Sequence, residues 1–124
     1  MTTLTEDNNA AQFQIKSYRP GELTINQVKH HQSVILSATE LVDPWSPQTL
    51  SDLKKEDFDL IPAMNPDVLL IGTGEKFEFI NMKLYGHLIN QGIGVEVMDT
   101  LAACRTFNAL TSENRRVVAA LLIK

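Results

Sequence analysis

From Gln12 onward, Phe13, Ile15 and Ser17 alternate with Gln14 and Lys16, the two-residue period of a strand with one buried face. Arg19-Pro20-Gly21-Glu22 follows as a turn, because proline presets φ and glycine accepts a positive one. Leu23, Ile25 and Val28 predict a second, more irregular strand returning beside the first. Ser33 to Ala38 is a compact apolar run bounded by polar residues and predicts a short buried strand. In Asp43-Pro44-Trp45-Ser46-Pro47 the two prolines bar a continuous helix or central strand. Ser46 before Pro47 predicts a helix opening, with Leu50 and Leu53 as the apolar stripe of a short helix. Lys54, Lys55, Glu56 and Asp57 beyond it read as a solvated edge.

Val68-Leu69-Leu70-Ile71 carries no polar residue, as a parallel strand covered on both faces should. A helix is expected from about Asn81 to Asn90, with Met82, Tyr85, Leu88 and Ile89 on one face and Gln91-Gly92 closing it. Val95-Glu96-Val97-Met98 is the next strand, so these elements form a β-α-β unit with a right-handed crossover. Asp99 caps a helix running to about Leu110, with Leu101, Cys104 and Phe107 facing inward. Val117 to Ile123 makes a last strand, apolar almost throughout and therefore central. The reading is α/β: one three-layer domain, a mixed, mostly parallel central sheet of about five strands, an N-terminal β-hairpin and flanking helices.

Length agrees with one domain, since 124 residues can bury a sizeable core unaided. Met1 to Ala11 is polar, rich in Thr and Asn, and expected to be a disordered tail. With a formal charge of −4 and only short basic stretches, Arg115-Arg116 and Lys29-His30-His31, nucleic acid is not an expected partner. No run approaches the roughly twenty apolar residues of a membrane span. The first eleven residues hold Glu6 and Asp7 and no Lys or Arg, unlike a presequence, so a cytoplasmic protein is expected. One cysteine excludes an internal disulfide, and adjacent His30 and His31 on a strand point to opposite faces, so no metal site is expected.

Chemistry concentrates where the β-α-β unit delivers both strand ends to one edge, placing Gly72-Thr73-Gly74 beside Met98-Asp99-Thr100. The glycine loop offers unobstructed N–H groups and the second junction opens a helix, so together they could hold a phosphate or carboxylate. A dinucleotide fingerprint is incomplete, because its third glycine position falls on Phe77, and Lys76 does not fit a phosphate-loop spacing. A structural glycine turn and a structural cap explain the same residues. No cofactor is assigned. Cys104 stands beside Arg105 one turn into the helix, yet on the stripe facing the sheet, where a thiol is a small core hydrophobe. Arg105 and Asn108 could line a pocket edge and orient an anion or peptide carboxylate.

Asp67 to Gly74 and Gly92 to Leu121, densest across Asp99-Thr100, Cys104-Arg105-Thr106-Phe107-Asn108 and Glu113 to Arg116, resemble one family of small domains. It includes the mitochondrial respiratory complex I assembly factor three, the adipogenesis-associated domain proteins and stand-alone bacterial and archaeal members. The resemblance implies a mixed five-stranded sheet whose last strand is antiparallel to its neighbours, and a non-catalytic interaction or assembly module with another protein as partner. Aromatics are the usual anchors of such contacts, and Trp45, Phe77, Phe79 and Tyr85 are the candidates, each of which could equally belong to the core. After Gly74 the chain departs from its bacterial relatives: they place a basic residue before an aromatic, often followed by proline, where this chain has Glu75-Lys76-Phe77-Glu78-Phe79-Ile80. Two acids in that loop make an anionic ligand less comfortable there. The alternative to an interaction module is a small-molecule or anion-binding domain, or an enzyme, using Gly72 to Gly74, Asp99, Thr100 and Arg105.

Overall fold

The strand at the centre of the fold is the last one in the chain. The computed structural model describes residues 11–124, so the expected tail, Met1 to Ala11, lies outside the described residues except for Ala11. Strands β4 (Val34–Leu36), β5 (Leu41–Val42), β6 (Val68–Gly72), β7 (Gly94–Met98) and β8 (Val117–Leu121) form a sheet of order β5-β4-β8-β6-β7. Between β6 and β7 runs the short helix α1 (Gly86–Ile89), and between β7 and β8 the helix α2 (Thr100–Ser112). β8 is antiparallel to β4 but parallel to β6, which corrects the expectation that it opposes both neighbours. The α2 crossover returns the chain to the same end of the sheet, so β6, β7 and β8 all run one way.

Burial on both faces explains the unbroken apolar runs of β6 and β8. Val68, Leu70, Val117, Ala119 and Leu121 face a cluster with Ala103, Cys104 and Phe107 of α2 and with Ile15, Leu23 and Ile25. Leu69, Ile71, Val118, Ala120 and Leu122 face the other cluster, with Trp45, Phe58, Ile61 and Leu88. Successive strand residues point to opposite faces, so one apolar strand feeds two cores.

The N-terminal region is a three-stranded antiparallel sheet, β1 (Ile15–Arg19), β2 (Glu22–Ile25) and β3 (Val28–His30). Val28 opens a third strand because Asn26 adopts φ +54°, a left-handed turn that asparagine tolerates better than most residues. Its amide ties the turn to the chain before β1: Gln14 N–H donates to Asn26 Oδ1 at 3.0 Å, and Asn26 Nδ2 donates to the Gln12 carbonyl at 3.0 Å.

The helix expected after Pro47 shrinks to a 3₁₀ turn at Leu50–Asp52, because the Asp52 carboxylate accepts from the N–H groups of Gln48 and Thr49 and starts the turn later. The expected Asn81 to Asn90 helix is split into a 3₁₀ turn, Met82–Leu84, and α1, with Tyr85 between them at φ −130° and ψ 0°. Of its expected apolar face, only Leu88 is fully buried, while Met82 and Ile89 are exposed. In α2 the buried stripe is Thr100, Ala103, Cys104, Phe107 and Thr111. Leu101 lies one position off that stripe and is exposed, not inward.

Candidate functional site

Thr100 organises the edge where β6, β7 and β8 end. Fully buried, its hydroxyl donates to the Leu122 carbonyl and accepts from Gly74 N–H at 2.8 Å. The backbones close around it: Thr73 N–H donates to Met98, Thr100 N–H to Gly74, Leu122 N–H to Gly72 and Glu75 N–H to Lys124. Gly72 leaves no room for a side chain, since a Cβ there would stand 2.7 Å from Thr100 Oγ1 and 3.0 Å from Thr100 Cα. Gly74 has φ +107° and a Cβ on it would meet the Lys124 carbonyl oxygen at 2.8 Å. Thr73 Oγ1 donates to the Lys76 carbonyl at 2.6 Å and accepts from Glu78 N–H at 3.2 Å, folding the next residues back. Asp99 caps α2 through Ala102 N–H at 2.8 Å. The N–H groups of Thr73, Gly74 and Glu75, which a phosphate would need, are therefore engaged inside the fold.

Arg105 and Asn108 converge elsewhere, in a groove of about 290 Å³ between α2 and β1, with Ile15, Lys16, Ser17, Tyr18, Leu101 and Cys104. Asn108 grips β1 with both ends of its amide, accepting from Ile15 N–H at 3.1 Å and donating to the Ile15 carbonyl at 2.7 Å. The exposed Arg105 guanidinium has no hydrogen-bond or ion-pair partner among the described residues. Tyr18 was not legible as a site residue: its hydroxyl is shut off from solvent with no hydrogen-bond partner among the described residues. Burial pushes the phenol up to about 12, with smaller electrostatic pushes from Cys104 once that thiol ionises and from the Glu75 and Asp99 carboxylates. Burial likewise pushes the Cys104 thiol up to about 12, with Asp99 adding a smaller push, so Cys104 is a protonated core thiol and not an activated nucleophile.

The aromatic candidates divide in the same way. Trp45 is only 3% exposed, its ring lies 5.7 Å from that of Phe58, and its Nε1–H donates to the Asp57 carbonyl at 2.9 Å. It belongs to the core and is not a surface anchor. Tyr85 is half-buried against the same cluster. Phe79, in contrast, is 89% exposed and Phe77 46%, and the two rings meet edge to face with centroids 4.9 Å apart. Met82, 61% exposed, follows them, and Phe79 rims a groove of about 300 Å³ with Leu50, Leu53, Ile80 and Leu84.

Among the described residues no helix is long and apolar enough to cross a membrane. The chain is 35% identical over 118 residues to the "13 kDa major membrane protein" of Francisella tularensis subsp. holarctica, covering 94% of this chain and 96% of that one. It is 34% identical over 114 residues to the zebrafish (Danio rerio) NADH dehydrogenase [ubiquinone] 1 alpha subcomplex assembly factor 3, covering 87% of this chain and 63% of the relative. It thus spans somewhat under two thirds of that assembly factor. In structure it matches a Bordetella pertussis protein described as a Mth938-like domain, with a TM-score of 0.82, 29% identity and coverage of 98% of this chain and 92% of that one. The profile of one family matches residues 15–122, and with it the stitched edge, the α2–β1 groove and the Phe77–Phe79 loop: the chain belongs to the family described as protein of unknown function (DUF498/DUF598).

Proposed function

We propose that this chain is a non-catalytic interaction module of the cytoplasm that helps another protein assemble, gripping it with the Phe77–Phe79 loop and the groove beside it. The observation that carries the reading is the exposed aromatic pair. Two phenylalanines and Met82 standing in water cost hydrophobic free energy that burial under a partner recovers, and aromatic residues and methionine are enriched at such contacts. The loop beneath them is held by Thr73, so the pair is presented from a fixed base and little ordering remains to be done on binding. The kinship with an assembly factor supports the same direction. Cys104, buried and protonated, supplies no nucleophile.

The test is native mass spectrometry of the tagged chain recovered gently from its own cells. A defined co-purifying protein is expected with the wild type and lost in Phe79→Ser, while the thermal unfolding midpoint stays in place. A partner that survives Phe79→Ser would overturn the assignment of the surface.

One observation favours a second reading. The exposed Arg105 fork, unpaired among the described residues, lines the α2–β1 groove beside Leu101 and Asn108, an arrangement that suits a small carboxylate lying over Leu101. In that reading Asn108 forms a wall of the groove, while Asp99, Thr100 and the Gly72-Thr73-Gly74 turn, none of which lines it, serve the fold. A bound small-molecule mass, present in the wild type and lost in Arg105→Ala, would move the function to that groove.

A further inference from the structure

Among the described residues β7 forms one edge of the five-stranded sheet, hydrogen-bonded to β6 alone. Gly94 N–H donates to the Asp67 carbonyl at 3.0 Å and the Met98 carbonyl accepts from Thr73 N–H at 2.9 Å, so both ends of β7 direct their backbone groups toward β6. In a parallel ladder such residues alternate. Glu96 therefore also faces β6, and Val95 and Val97 turn their N–H and C=O groups outward. No other described residue bonds those groups. An open edge with apolar residues is a template for strand pairing, and natural edges are guarded by a bulge, a proline, inward charge or a cover. β7 has no proline and no bulge in its register with β6. Its one charge is Glu96, exposed on the face toward α2.

The side chains decide what fits. Ile93, Val95 and Val97 all belong to the apolar cluster on the α1 face, and Val95 and Val97 remain half-exposed beside the exposed Ile89 of α1, which packs on β7. Gly94 lies on the opposite face with Glu96 and is exposed. Antiparallel self-pairing centred on Glu96 would set carboxylate against carboxylate, which is unfavourable. Pairing centred on Val95 sets Val95 against Val95 of the other copy, Val97 against Ile93, and Glu96 against Gly94, which has no side chain to oppose it. In that register Val95 N–H of each copy donates to the Val95 carbonyl of the other, and Val97 N–H to the Ile93 carbonyl. Ile93 N–H is not required, and it is already bonded to the Leu88 carbonyl at 3.1 Å.

We propose that two copies of this chain associate through β7 in this Val95-centred antiparallel register, giving one sheet continuous across both and joining their α1-side apolar clusters at the seam. The dimer forms independently of the Phe77–Phe79 loop. Only a few residues of each copy meet across the edge, so the interface lies at the small end of specific contacts and the dimer is expected to be weak and reversible.

Sedimentation equilibrium of the full chain from 10 µM to 1 mM tests the proposal, with far-UV circular dichroism and thermal melts as folding controls. The wild type is expected to pass from monomer to dimer over about that range. Gly94→Glu, which restores a carboxylate opposite Glu96, is expected to weaken association about three- to tenfold, and Gly94→Lys to strengthen it by a similar factor. Gly94 is suited to these changes because it has no positive φ and the nearest atom to a Cβ is the Asp67 carbonyl oxygen at 3.4 Å. Val95→Pro removes only an outward N–H and is expected to abolish the dimer. Phe79→Ser is expected to leave it intact. A monomer at 1 mM overturns the proposal, as does a dimer indifferent to the two Gly94 variants. If Val95→Pro fails to fold, the opposite responses of Gly94→Glu and Gly94→Lys still decide.

Discussion

The Gly72–Gly74 turn and the Phe77–Phe79 loop are only a few residues apart, yet the first turns almost everything it has inward and the second outward. At the turn, N–H groups, carbonyls and even the absent Cβ atoms are accounted for by Thr100, Met98, Leu122 and Lys124. At the loop, aromatic surface is left in water. A glycine-rich junction at the carboxyl end of parallel strands suggests ligand chemistry because its amides are free in many proteins. Here Met98, the Thr100 hydroxyl and the C-terminal Lys124 take those amides between them, so the available surface lies downstream of the motif that attracts attention.

The sharpest way to break this contrast is at Thr100. Thr100→Val keeps the shape but strands the Gly74 N–H and the Leu122 carbonyl in a buried place, an expected loss of about 2–5 kcal/mol in chemical unfolding. Gly72→Ala drives a methyl against Thr100 and Leu121, with about 1–3 kcal/mol expected from overpacking. Were either variant to leave stability untouched while removing a bound ligand, the turn would be a binding loop after all.

Much of the scaffold was legible in the chain because it rests on local rules. β6 and β8 are apolar throughout since both faces are covered, and Asp99 caps α2 as its position suggests. The failures have identifiable causes. Trp45, between two prolines, reads equally as a surface anchor or as core, and the core placement depends on its indole N–H finding the Asp57 carbonyl after the chain has wrapped, a contact no spacing announces. Tyr18 falls on the solvent side of a strict two-residue period. The register shift between Ile15 and Ser17 inserts a residue and turns Tyr18 toward the side of Ile15. Leu101 is a one-residue phase error around α2, whose stripe is set by Thr100 and Ala103. Phe77 and Phe79 were recognised as aromatics, but exposure depends on what the rest of the chain leaves uncovered.

The α2–β1 groove lies between the two extremes. Asn108→Ala removes both bonds to Ile15 and is expected to cost about 1–3 kcal/mol, with faster amide hydrogen exchange in β1 before the rest of the fold. The buried acids add a pH signature. Cys104 and Tyr18 ionise near 9 and 10 when free but near 12 in the fold, so above pH 9 the unfolded chain binds fewer protons than the native one. Their stabilising contribution is whole below pH 9 and is lost as pH rises toward 12. Unfolding titrations from pH 8 to 11 are expected to give falling stability, with a flatter curve in a Cys104→Ala, Tyr18→Phe double variant. A wild-type curve that stays flat would mean that both groups are open to water.

The smallest expected change in stability is at Phe79. Its ring is almost wholly solvated and touches Phe77 only edge to face, so Phe79→Ser is expected to cost no more than about 0.5 kcal/mol. A residue that contributes so little to its own fold is free to be spent on a contact with something else. Truncating a central aromatic anchor costs binding about 2 kcal/mol or more, roughly thirtyfold in affinity. Phe79→Ser is thus expected to leave the unfolding midpoint almost unmoved while abolishing partner capture, the reverse of Thr100→Val, which lowers stability first and reduces capture only in proportion to the fraction unfolded. If the two variants lose the partner in the same proportion to their loss of stability, the turn and the loop are one structural unit and the division between them fails.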